Sequence, residues 1–252
     1  MAHNVEVGES LRSRIDLEIK KIERSALLSL DIKSSRDEFT RSMFQSGIDW
    51  LTDFIMKPHA ELGRHGVVCP FVQPAHCEGA LVFCVWDVED LSFEIFLSIL
   101  IDIPRLYHRM RVGMSAKSKL FSVCIFLNGL NETQYFKYID KAHSLVKPIF
   151  MDEGLMLGEF HPLSVTKGAR STVFRPMRSN RPIFVVRLMT SHDALFIDRD
   201  GSPAEVRLRE LLTYRLWVED SLSPNDLLRV DKRISELSEA LDHSGSADHQ
   251  RS

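Results

Sequence analysis

Two apolar runs, "ALVFCVW" at residues 80–86 and "FSVCIFL" at residues 121–127, constrain this chain more than any other feature. Each is too short for a core helix and too continuous for a strand with one wet face, so both read as buried strands. Cys84 and Cys124 lie inside them and are most simply small core hydrophobes. Buried strands need covering elements, and the rest of the pattern supplies them by switching repeatedly between periods of 2 and 3.6.

The first strand, over "GALVFCVWD", is followed by a helix near 91–102, and the second, over "LFSVCIFLN", by a helix near 131–147. "LMLGEFHP" reads as a third strand stopped by Pro162, and "IFVVRLM" as a fourth. Before them, Phe39, Met43, Phe44, Ile48, Leu51, Phe54 and Ile55 make the apolar face of a helix that Pro58 ends. Two amphipathic helices, 204–217 and 225–242, close the chain. The pattern predicts an α+β fold: a single domain over 37–242 with a four- to five-stranded mixed sheet flanked by helices. Residues 1–36, dense in charge with Leu11, Ile15, Ile19, Ile22 and Leu27 at helical spacing, predict a helical N-terminal arm lying on a body or on another subunit. Residues 243–252 predict a disordered tail.

Composition limits the partners. A formal charge of −3 over 252 residues gives no bulk drive toward nucleic acid. No run approaches the roughly 18 apolar residues of a membrane span, and the N-terminus lacks an apolar leader, so a cytoplasmic protein without nucleic-acid or membrane partners is expected. The four cysteines form no Cys-x-x-Cys pair, and a disulfide framework is not expected. No Walker loop, Gly-x-Gly-x-x-Gly or His-Glu-x-x-His occurs, which moves the best-marked nucleotide and metalloprotease classes out of the front rank.

Three stretches hold polar residues that packing does not readily absorb. "GRHGVVCPFVQPAHC", residues 63–77, carries Arg64, His65, Cys69, His76 and Cys77 right after the helix stop at Pro58. "EFHP" ends a strand with His161, an acid–base or ligand candidate whose ordinary pKa is near neutrality. "FRPMRSNRP" places Arg175, Arg178 and Arg181 at a three-residue period, with Arg187 inside the strand that follows. Guanidinium groups grip carboxylates and phosphates bidentately, and Pro176 and Pro182 stiffen their segment. Solvated surface arginines are the competing reading. Cys69 precedes Pro70 and is either a metal-facing thiolate, a type of axial haem ligand, or an inert buried thiol. A zinc site from His59, His65, Cys69, His76 or Cys77 matches none of the regular spacings.

Trp50, Phe54, Pro58 and His59, the run Gly63-Arg64-x-Gly66-x-Val68-Cys69-Pro70-Phe71, then Phe160-His161-Pro162, and Phe174-Arg175-Pro176-x-Arg178-Ser179 with Pro182, Arg187, Met189, Asp193 and Phe196, together resemble an uncharacterised bacterial domain family. Members are often encoded near specialised-metabolite genes. The resemblance spans roughly residues 40–200 and implies no established activity. Cys69, Pro70 and Phe71 also carry a distant likeness to the YqcI/YcgG family, some of whose members resemble haem-dependent N-oxygenases of amino acids. That likeness implies a small-molecule oxidoreductase in which Cys69 or His161 holds haem iron, while Arg64, Arg175, Arg178 and Arg187 bind propionates or a substrate carboxylate. The alternative is a non-catalytic module for an anionic ligand or a protein partner, with the arm and C-terminal helix assembling a homo-oligomer.

Overall fold

The computed structural model describes residues 2–114, 119–198 and 201–249, with side chains from residue 10 to residue 242 of that span. The elements run α1 (Ala2–Arg24), β1 (Leu27–Leu28), α2 (Glu38–Trp50), α3 (Val72–Cys77), β2 (Leu81–Asp87), α4 (Phe93–Gly113), β3 (Ser122–Asn128), α5 (Ala142–Asp152), β4 (Leu155–Phe160), β5 (Ile183–Leu188), α6 (Ala204–Val218) and α7 (Pro224–His249). The fold is α+β, and its five strands form one mixed sheet in the order β1-β2-β3-β5-β4. β2 and β3 pair in parallel from Leu81↔Ser122 to Asp87↔Asn128, β3 and β5 antiparallel from Ser122↔Arg187 to Phe126↔Ile183. Among the described residues no helix is long and apolar enough to cross a membrane.

Contacts group the chain into two compact units, the first reaching Phe150 and including Met156–Leu188. In it, β2 and β3 are buried on both faces, as their continuous apolar runs require. On one face Phe83 and Phe126 meet Phe44 of α2, with ring centroids 5.5 and 5.6 Å from it. On the other, Trp86 stacks on Phe96 of α4 at 4.6 Å, and Tyr138 closes edge-on at 5.1 Å. α4 runs eleven residues past the expected 102, through buried Pro104, because Ile103, Leu106, Tyr107 and Met110 continue the apolar stripe.

The helix at the start of the chain lies on the rest of the first unit. Ile15, Ile19 and Ile22 are buried, and α1 packs on α4 and β2. Arg12–Asp102 at 2.9 Å, Arg105–Asp16 at 3.1 Å and Arg109–Glu23 at 3.0 Å lace the two helices side by side. The chain then turns at Ser25 to pair β1 with the outer edge of β2. The apolar spacing gave the buried face of α1, but a two-residue strand leaves no periodic signal.

The second unit comprises Met151–Leu155 and the chain from Met189. Its helices α6 and α7 pack on each other, and Asp198 ties both: its carboxylate accepts from Arg207 Nε and Arg233 Nε, each at 2.6 Å. Asp198 has φ +57, a conformation asparagine and aspartate tolerate best. α7 continues to His249, through residues expected to be a disordered tail from 243. Residues 250–252 of that tail lie outside the described residues.

Two predictions follow from this packing. A Cβ at Gly47 of α2 would lie 2.4 Å from Phe126 Cζ, whereas one at Gly113 of α4 meets nothing within 4 Å. Ala gains up to about 1 kcal/mol of helix propensity over Gly, so Gly113→Ala is expected to be neutral or stabilising. Overpacking costs about 1–3 kcal/mol, so Gly47→Ala is expected to lower urea-unfolding stability. Burial works to raise the Asp198 pKa, but the hydrogen bonds from Arg233 and Arg207 outweigh it and hold the carboxyl below its usual value. A depressed folded pKa stabilises above the unfolded value and that stability is lost as pH falls through the folded one. Asp198→Asn keeps the backbone preference and removes the charge. Its cost at pH 7, about 1–3 kcal/mol for hydrogen bonds to a charged group, is expected to shrink below about pH 3.9, as read by unfolding at matched pH values.

Candidate functional site

Two connections in the first unit carry nearly all the polar residues singled out in the sequence. The first begins where α2 widens into a π-helical turn over Leu51–Ile55, closed by Met56 N–H to Leu51 O at 2.8 Å. Val68 N–H then returns to Lys57 O and Cys69 N–H to Ile55 O, each at 3.0 Å, so residues 57–69 fold back as a tight double-back. The Arg64 guanidinium holds that turn from within, donating to Val68 O at 2.8 Å and His65 O at 3.0 Å. Val72–Cys77 then forms the short helix α3, so residues 63–77 are only partly a loop.

The second connection, residues 161–182, joins β4 to β5 and ties itself by the same means. Gly168 N–H meets Phe174 O at 3.0 Å, Arg175 donates to Thr172 O at 2.8 Å, and Arg178 Nε donates to Ser164 O at 3.0 Å. The connections meet at a shared aromatic contact: Phe174 stacks on Phe54 at 5.6 Å, and exposed His59 tilts over it at 4.8 Å. Gly63, at φ +74, fits because a Cβ there would lie 2.2 Å from Arg170 O. Trp50 Nε1 anchors the far end by donating to Arg178 O at 3.0 Å.

His161, only 3% exposed, opens the second connection. Its Nε2 is 3.1 Å from Asp140 Oδ1, and its ring faces Tyr135 at 5.2 Å. Its Nδ1 is buried without a partner. Asp140 lies in a π-helical segment, Phe136–Lys141, that leads into α5. Burial, assisted by the Glu132 carboxylate, pushes the Tyr135 hydroxyl upward.

The six residues singled out as site candidates therefore divide. Arg64 lies on the first connection and Arg175 and Arg178 on the second, each bonded to carbonyls of its own connection. Arg187 does not join them: it pairs opposite Ser122 at the far end of β5, four residues from Ile183, about 13 Å at ~3.3 Å per residue. It lies near buried Tyr107, whose hydroxyl burial pushes up to about 12. Cys69 is half-buried against the cluster of Trp50, Phe83 and Phe126. His161 contacts Asp140 and Tyr135, on the segment whose Tyr138 packs with Phe96 on the Trp86 face. Phe83 and Trp86 are three apart on β2, so they face opposite sides of the sheet and the two candidate iron ligands diverge. The arginines assigned to propionates are held by their own loop carbonyls. Cys69 and His161 do not converge on one site.

All four cysteines are free, and burial raises the thiol pKa of Cys84 and Cys124, which suits inert core roles. Among the described residues no three His, Cys, Asp or Glu side chains converge as a metal site, and His76 Nδ1 is instead 2.7 Å from Ser29 Oγ. Asp140 escaped the sequence reading because its helix carried no signal for a π-helical segment. The cations Lys57, Lys167 and Arg170 were not singled out in the sequence.

Gly63 is the hinge of this juxtaposition. Gly63→Ala forces a side chain into a left-handed residue against a backbone carbonyl, and a cost of about 1–3 kcal/mol is expected. Faster amide exchange over 167–174 would locate the loss at the contact between the connections.

No curated protein and no solved structure matches this chain. One family model does, that of the Domain of unknown function (DUF6875), over residues 44–216. The match takes in the C-terminal half of α2, both connections, His161 and most of α6, and by that span the chain belongs to the DUF6875 family.

Proposed function

We propose that this protein of small-molecule metabolism binds an anionic ligand, a carboxylate or a phosphate ester, on the surface formed by residues 57–65 and 167–181. One observation carries the reading. Lys57, Arg64, Lys167, Arg170, Arg175, Arg178 and Arg181 stand there against a single carboxylate, Glu61, in a chain whose net charge is −3. None of these seven cations forms an ion pair among the described residues. Elsewhere Arg12, Arg105, Arg109, Arg207, Arg209, Arg215 and Arg233 each sit within 4.0 Å of an Asp or Glu oxygen.

Uncompensated like charges repel, so a surface that gathers them is stabilised by an anion. Backbone bonds fix Arg64, Arg175 and Arg178 in advance while each guanidinium, with five N–H donors, keeps others to offer. Less side-chain entropy is lost on binding as a result.

The test uses side chains that carry charge without holding the loops. Lys57→Gln, Lys167→Gln and Arg170→Gln are combined in one variant, and inorganic phosphate and succinate are titrated calorimetrically. At about 0.5 kcal/mol per surface charge removed, affinity is expected to fall roughly tenfold, and wild-type affinity to weaken with salt. Unchanged affinity in the variant would overturn the reading. Tighter binding of duplex DNA, with a steep salt slope, would replace it with a polyanion site.

A further inference from the structure

We propose that His161 is a proton-transferring base acting on the anion bound beside it, with Nδ1 as the accepting atom and Asp140 as the residue that positions the ring. The substrate class rests on the anion-binding reading above; the geometry of the pair does not.

A carboxylate only accepts hydrogen bonds, so Asp140 Oδ1, 3.1 Å away, selects the tautomer that carries its proton on Nε2. Nδ1 is then left with a bare lone pair. The large majority of buried polar side-chain atoms have a partner, because one left without is costly. Here Nδ1 is buried and unpartnered while Nε2 is held, the division of labour of an oriented general base.

The surroundings serve that role. Asp140 sits in a π-helical segment, a feature frequent at functional sites. One turn on, His143 Nε2 meets Leu157 O at 3.0 Å and Glu159 at 3.3 Å, which pins this helical stretch to β4, the strand that leads into His161. His161 also opens the connection that bears the cations. Its carbonyl accepts from Ser164 N–H at 3.2 Å, and the Ser164 carbonyl holds Arg178 Nε at 3.0 Å. His161 and Arg178 are thus joined through the backbone of one residue, Ser164.

The step is balanced without a further reactant. An acidic C–H next to the ligand's carboxylate gives its proton to Nδ1, and the bonding electron pair stays on the substrate as an enolate beside the guanidinium. The imidazolium keeps its Nε2–H on Asp140, whose charge offsets it. Return of a proton to the same or a neighbouring carbon completes exchange or isomerisation.

The full chain is incubated in D2O with the anionic fraction of a bacterial small-metabolite extract, and deuterium gain is followed by mass spectrometry. Wild type is expected to place one deuterium on at least one anion. That rate is expected to fall about 100-fold or more in His161→Gln and at least about tenfold in Asp140→Asn, with phosphate titrations of both variants unchanged. Nitrogen NMR of the imidazole is expected to report the Nε2–H tautomer in wild type and its loss in Asp140→Asn. Absence of deuterium gain with wild type, equal gain with His161→Gln, or an Nδ1–H tautomer would each overturn the proposal. Loss of anion binding only in the Lys57, Lys167 and Arg170 variant bears on the binding reading and leaves these outcomes distinct.

Discussion

Burial of β2 and β3 on both faces is the constraint on which the first unit depends. Their apolar runs cannot tolerate water on either side, so the sheet must carry α2 on one face and α1 and α4 on the other. Gly47 shows how closely the first layer approaches, with α2 backbone resting on the Phe126 ring. The polar connections are then pushed to the sheet margins, where backbone groups can be satisfied and where ligand sites are built.

At those margins the protein treats charge in two ways. Along α1 and α4, and between α6 and α7, cations are matched to carboxylates with spacings of a few ångströms. On the two connections the cations are matched to backbone carbonyls instead, which orient a guanidinium without neutralising it. A carbonyl dipole leaves the net charge to be met by something from outside.

The fold was legible because it is written in period and length. Both buried strands, the helix stopped by Pro58, the strand leading into His161 and the starts of the two closing helices lie within a few residues of where spacing puts them. What was illegible shares a physical cause: it depends on contacts between distant residues. β1 is two residues long, the π-helical segment at 136–141 differs from an α-helix only in its hydrogen bonds, and Asp140 finds His161 across 21 residues. Of the candidate site, the residue types were right and the grouping was not. Arg187 lies apart because it stands at the opposite end of β5 from the loops, and nothing in "VVRLM" fixes which end of the strand meets them.

The shortness of β1 has a further consequence. An outer strand with unpaired N–H and C=O groups is a template for another chain, and proteins blunt such edges with very short strands or covering segments. β1 pairs only Leu27 and Leu28 with β2, while Ser25 Oγ takes up Val85 N–H and Ser29 N–H takes up Leu81 O. The segment after α1 thus consumes the hydrogen-bonding capacity of a long apolar strand while presenting almost none of its own, and so works as a guard against strand addition and fibre growth.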